Sequence, residues 1–220
     1  MKTNVLLQLL GNKWRYRLKE NYITAHVNTE WWEGHINYML LQQYASSLTG
    51  KVADFGCNHG ACTILAARNP LIRSVTGIDF NRAALQEARN LLSRCGESPD
   101  LKKKVSYAEA MLSALPFEDD CFDNGYMFHV IEHIYPKDRP QVLAEIRRVI
   151  RPGGHLLFAL PYDHAYDDGT QHVAFFDTGS FASVLKQAGF DVKECYRDRR
   201  TDAHTPEGHD CITALALNMK

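Results

Sequence analysis

From residue 51 onward, short apolar runs alternate with stretches whose apolar positions recur every three or four residues, the pattern of strands alternating with amphipathic helices. The runs predict strands at 51–55, 74–79, 105–108, 122–128 and 155–160, the last closed by Pro161. The helical period predicts helices at 60–68, 83–93 and 139–150. Alternation of this kind implies a doubly wound, mostly parallel α/β sheet. Further on, a helix at 180–188 is stopped by Gly189, and two strands follow at 191–197 and 211–217, joined by a polar loop. That connection is too short to hold a crossover helix, so the last strand is expected to enter antiparallel. The expected architecture is a seven-stranded sheet with helices on both faces.

The first fifty residues have another texture. Their helical patterning and the rings of Trp14, Tyr16, Tyr22, Trp31, Trp32, Tyr38 and Tyr44 predict a helical region, residues 1–50, that caps a core domain of residues 51–220. Trp31, Trp32 and His35 are candidates to cover a substrate; packing of a helix onto the sheet explains any single ring equally well.

Composition narrows the functional classes. A chain of 220 residues with 45% hydrophobic and 23% charged positions suits one folded domain of ordinary size. Its 25 basic and 26 acidic residues leave a net charge of −1, which argues against a general affinity for nucleic acid or anionic membrane. Cys57, Cys62, Cys95, Cys121, Cys195 and Cys211 form no Cys-x-x-Cys pair, so no zinc ribbon or dithiol redox site is signalled. The apolar run 5–10 is too short to span a bilayer, and no signal-peptidase site follows it. A cytoplasmic setting is expected.

The first chemical signal is Asp54-Phe55-Gly56-Cys57-Asn58-His59-Gly60, between the first core strand and its helix. Glycines there let backbone N–H groups approach a ligand. The dinucleotide fingerprint places glycines at relative positions 1, 3 and 6, whereas here they stand at 1 and 5, which speaks against a dehydrogenase. Asp79 ends the second strand, where a carboxylate can accept hydrogen bonds from both hydroxyls of a ribose, and Phe80 follows as a surface for an adenine. Together these favour an adenosine-containing cofactor.

On these residues the chain resembles the class I S-adenosylmethionine-dependent methyltransferases from about Lys51 to its end. Asp54-x-Gly56-x-Asn58-x-Gly60 is similar to the first motif of that family. Leu115-Pro116-Phe117 with Phe122-Asp123 resembles the approach to the fourth strand, and Arg151-Pro152-Gly153-Gly154 resembles the turn before the fifth. The resemblance implies S-adenosyl-L-methionine as cofactor and S-adenosyl-L-homocysteine as product. It implies contacts from Asp54, Gly56, Cys57, Asn58, Gly60, Asp79, Phe80, Glu109, Ala110, Met111 and Phe128. Asn58 departs from the usual middle glycine, and the spacing around Glu109-Ala110-Met111 leaves open which residue meets the adenine amino group.

Methyl transfer needs alignment of nucleophile and methyl, exclusion of water and, for a hydroxyl acceptor, removal of a proton. Ligands of such sheets sit beyond the carboxyl ends of the strands, so the loops after Phe128 and Leu160 matter most. The first holds His129-Val130-Ile131-Glu132-His133; in a helical conformation His129, Glu132 and His133 would share one side. The second holds Asp163, His164, Asp167, Asp168 and His172. His133 and His172 are the candidate catalytic bases. A structural role for Glu132 and His133, capping the turn, is equally open.

His129, Glu132, His133 and His172 also resemble the Glu-x-x-Glu-His plus distant His of metal-assisted RNA 3′-end 2′-O-methyltransferases, with His129 in place of the first carboxylate. A divalent metal is therefore a second alternative. Arg197, Arg199 and Arg200 are interrupted by Asp198 and Asp202, the pattern of a solvated strand end. The leading expectation is methyl transfer to an oxygen or nitrogen of a small molecule. The alternatives are RNA-end methylation and a non-catalytic S-adenosylmethionine-binding module.

Overall fold

The computed structural model describes residues 29–163, 172–202 and 204–220. Two short helices, α1 (Thr29–Glu33) and α2 (Ile36–Gln43), precede β1 (Gly50–Phe55), α3 (Ala61–Ala66), β2 (Ile72–Asp79), α4 (Arg82–Arg94), α5 (Pro99–Lys103) and β3 (Val105–Glu109). The chain continues through β4 (Asn124–Phe128), a single 3₁₀ turn (Ile131–His133), α6 (Arg139–Val149), β5 (His155–Pro161), α7 (Thr178–Gln187), β6 (Phe190–Asp198) and β7 (Cys211–Asn218). The candidate residues Trp14, Tyr16, Tyr22, His164, Asp167 and Asp168, and the apolar run 5–10, lie outside the described residues.

The seven strands form one sheet in the order β3-β2-β1-β4-β5-β7-β6. All pairs from β3 to β5 are parallel, and β7 runs antiparallel to both of its neighbours, as the short polar connection required. Strand order reverses between β1 and β4, which makes their carboxyl ends the crevice where such sheets receive ligands.

Side chains alternate across the sheet and feed two cores. Phe55, Met127, Leu156, Phe158 and Ala214 pack on one face with Val142 and Ile146 of α6 and Phe181 and Leu185 of α7. Val52, Tyr126, Leu157 and Leu215 pack on the other with Ile36 and Leu40 of α2, Ile64 of α3 and Leu91 of α4. Because both faces are covered, β1, β4, β5 and β7 are buried along most of their length. Helix starts are set by local chemistry. Asn81 accepts the N–H groups of Ala83 and Ala84 at α4, and Asp177 and Ser180 form a reciprocal capping box at α7.

Three details differ from the sequence-based expectation. Helix α5 is additional, started by Ser98 as N-cap and Pro99 in its first turn. The fourth strand begins at Asn124, and Phe122 makes only an isolated bridge with Ile150. The segment after β4 is one 3₁₀ turn rather than a longer helix, and His129 lies before it in the left-handed region with φ 54°.

Candidate active site

Backbone strain marks the site. Asn58 (φ 48°), His129 (φ 54°) and Asp163 (φ 48°) are three of the four described non-glycine residues with positive φ. They follow β1, β4 and β5, which are neighbours in the sheet. Such conformations cost about 1–3 kcal/mol each and persist where the surroundings enforce them, commonly at ligand sites.

The loop after β1 is anchored by Gly56 N and Cys57 N donating to Ile78 O at 2.8 and 3.0 Å. Its centre is tied by Asn58 N, which donates to Asp79 Oδ2 at 2.9 Å, while Asn81 N donates to Asp79 Oδ1 at 2.8 Å. Burial raises the Asp79 pKa, and the N–H groups of Asn81, Asn58 and Phe80 oppose that rise. With these donors in place the carboxylate keeps acceptor capacity for a ligand hydroxyl. Asn58 Oδ1 is buried with no hydrogen-bond partner among the described residues, an orphaned acceptor in the cradle of the loop.

Glycine is required at both ends of this cradle, but for packing as much as for ligand access. Gly56 has φ 84°, and a Cβ there would lie 2.4 Å from Val130 Cγ2. At Gly60, φ 76°, it would lie 2.4 Å from the Tyr107 hydroxyl. A side chain at Gly56 would thus collide with Val130.

The other candidate cofactor residues take distinct places. Asp54 is buried behind the loop, accepts the Thr63 hydroxyl at 2.6 Å, and is pushed up to about 7 chiefly by desolvation. Cys57 is buried, and desolvation raises its thiol pKa. Phe128 is buried against Tyr126, with ring centroids 5.0 Å apart. Beyond β2 and β3, Phe80 and Met111 are exposed apolar side chains, 50% and 55% accessible. Glu109 lies 3.9 Å from Arg82, and Ala110 N donates to Asp79 O. These places suit a nucleoside bordered by two apolar side chains, with Asp79 beneath its ribose.

On the other side of the crevice, Glu132 is 1% exposed, and neither carboxylate oxygen has a hydrogen-bond partner among the described residues. His129 Nδ1 approaches it to 3.7 Å and His133 Nε2 to 4.0 Å. The rings of His133 and His172 are 5.1 Å apart, because Val173 N donates to Glu132 O and draws that segment to the turn. The structure thus brings together Glu132, His133 and His172, whose ligating atoms lie within 4.8 Å of one another; His129 stands outside that group.

His129 instead donates from Nε2 to Asn37 Oδ1 of α2 at 3.3 Å. Next to it, His35 accepts Asn37 N at Nδ1 and lies among Trp31, Trp32 and His209. His35 is held at about 3, first by desolvation and then by repulsion from His129. Trp32 reaches the glycine loop, its ring 5.5 Å from that of His59. Asn37 and His209 were not named in the sequence, and His59 and Asp202 only as members of the glycine loop and the strand end; the four come close only through long-range folding, and no local spacing announces them. Arg197 is committed to Asp210 in a two-pronged pair and to the Tyr162 ring, and Arg200 to Asp198, as expected for a strand end.

Comparison with known proteins bears on the fold and the family. Residues 53–158 match the family model described as a methyltransferase domain. A probable S-adenosylmethionine-dependent methyltransferase of Mycolicibacterium smegmatis is 28% identical over 74% of this chain and 60% of its own length. An O-methyltransferase of Penicillium expansum is 31% identical over 64% of this chain and 52% of its own. The chain thus spans about half to three-fifths of these relatives. The crystal structure of the Burkholderia thailandensis 1,6-didemethyltoxoflavin-N1-methyltransferase superimposes with a TM-score of 0.72 at 16% identity, covering 100% of this chain and 92% of that one. At that identity the likeness concerns the fold.

Proposed function

We propose that the chain is a class I S-adenosylmethionine-dependent methyltransferase that methylates an oxygen or nitrogen of a small molecule in the cytoplasm. The observation that carries the reading is the Asp79–Asn58 tie at the switch point of the sheet. It sets an acidic ribose partner beside a strained glycine loop.

S-adenosylmethionine, when bound, supplies an electrophilic methyl group. Asp79 would accept the ribose hydroxyls, and the loop of Gly56, Cys57, Asn58 and Gly60 would border the amino-acid end, whose ammonium group would donate to the orphaned Asn58 oxygen. Phe80 and Met111 would border the adenine, with Glu109 and Ala110 at its edge and Phe128 as floor. Asp54 acts from behind by fixing Thr63 at the start of α3. His133 and His172 would face the acceptor and take up its proton at an imidazole nitrogen. The net charge of −1 supports an acceptor other than nucleic acid.

A second reading rests on Glu132. A buried carboxylate without hydrogen bonds is costly unless something compensates it. A divalent ion held by Glu132, His133 and His172 would do so and would polarise the acceptor oxygen. Incubation with trideuteromethyl-labelled S-adenosylmethionine and a small-molecule extract, followed by mass spectrometry, tests the main reading. Label in one compound is expected, and a protein that binds S-adenosylhomocysteine yet labels nothing would leave a non-catalytic binding module. Transfer that stops with chelator and returns with one ion would establish the metal reading.

A further inference from the structure

Asp202 lies in the loop between β6 and β7, yet it ends against the amino-terminal helices. Its side chain has no exposed surface. Oδ2 accepts Ile36 N at 2.8 Å and His209 Nε2–H at 2.6 Å, and Oδ1 accepts His204 N and Thr205 N, both at 2.8 Å. Four donors converge on one carboxylate, so its coordination is satisfied. That separates it from Glu132: although His35, Asp202 and His209 are close enough to share an ion, Asp202 already has its partners.

The same loop grips α1. His204 Nε2–H donates to Trp31 O at 2.6 Å, and its ring stacks on Trp31 with centroids 4.1 Å apart. These contacts fix where α2 starts. Ile36, whose N–H is held by Asp202, precedes Asn37, whose side chain meets the strained His129 beyond β4. Trp32 of the same helical segment reaches His59 in the glycine loop.

We infer that Asp202 is a positioning residue that fastens the amino-terminal helices across the carboxyl edge of the sheet, holding Asn37 against His129 and Trp32 against the glycine loop. The inference rests on the proposed reading that this edge holds the cofactor. Release of the fastening would free one wall of the site while the sheet stays intact.

The test uses the full chain, with S-adenosylhomocysteine as the probe. Asp202→Asn keeps an acceptor oxygen but loses the charge, and hydrogen bonds to a charged group are the stronger ones. Amide exchange at Ile36 and dissociation of S-adenosylhomocysteine are each expected to accelerate about tenfold or more, with association unchanged. The His129 imidazole resonances are expected to shift, since Asn37 moves from its ring. His204→Phe keeps the stack on Trp31 but removes its N–H, and a smaller change in the same direction is expected; it decides the matter if Asp202→Asn fails to fold.

Faster exchange at Ile36 with unchanged dissociation and unchanged His129 resonances would overturn the inference. Stoichiometric metal bound at His35 and His209 would overturn it as well. A wild-type protein that does not bind S-adenosylhomocysteine would refute the underlying reading, an outcome seen before any variant is compared.

Discussion

Asp79 Oδ2 accepts the backbone N–H of Asn58 at 2.9 Å, so the carboxylate that ends β2 holds the strained centre of the loop that follows β1. One side chain thereby shapes the loop and borders the ribose position. Asp79→Ala is expected to weaken binding of S-adenosylhomocysteine by about fivefold to 150-fold, the equivalent of about 1–3 kcal/mol for lost acceptors. Isothermal titration calorimetry checks this, and unchanged affinity would remove Asp79 from the site.

Gly56 and Val130 form a second coupled pair. Gly56→Ala is expected to destabilise the fold by about 2–4 kcal/mol, combining positive-φ strain with overpacking against Val130. Adding Val130→Ala removes the collision but not the strain, so Gly56→Ala is expected to cost less in the Val130→Ala background than in the wild type. A double-mutant cycle by urea unfolding measures the coupling.

The alternation of apolar runs and helical periods made the βα order, the reversed last strand and the glycine loop legible, because each rests on local chemistry within about twenty residues. Asp79 could be read from its place at the end of a strand. The lid-side constellation could not. Ile36 and Asp202 are 166 residues apart, and neither polar atom has a local sequence signature. The turn after β4 misled for a physical reason: His129 takes a left-handed conformation, so helical spacing does not describe its direction. Even so, Glu132 and His133 meet as anticipated, and His172 joins them from the next loop.

Three buried titratable groups give opposing pH dependences. His35 falls from an ordinary value near 6.5 to about 3, so its contribution to stability is present above pH 6.5 and is lost as pH falls toward 3. Asp202, lowered to about 2, adds a loss below pH 3.8. Asp54, raised to about 7, contributes below pH 3.8 and loses that contribution as pH rises through 7. Thermal melts across pH 4–8 are expected to show Asp54→Asn gaining on the wild type up to pH 7 and His35→Gln flattening the slope below pH 6.5. Parallel curves would contradict these environments.

Glu132 offers a clean contrast. In chelator-treated protein, Glu132→Met is expected to raise stability by about 1–3 kcal/mol, because it removes a buried carboxylate that has no hydrogen-bond partner among the described residues. If a divalent ion belongs there, adding it raises the melting temperature of the wild type and leaves the variant unchanged. Differential scanning calorimetry with and without manganese or zinc reads both outcomes.

The most direct measurement is a crystal structure of the complex with S-adenosylhomocysteine. The account expects the ribose hydroxyls on Asp79, the amino-acid end on residues 56–60 and the sulfur facing His129 and the turn that follows it. A different location would contradict it, above all the cavity of about 220 Å³ between α2 and α3, lined by Tyr38, Leu41, Leu65 and Ile72 at the opposite edge of the sheet.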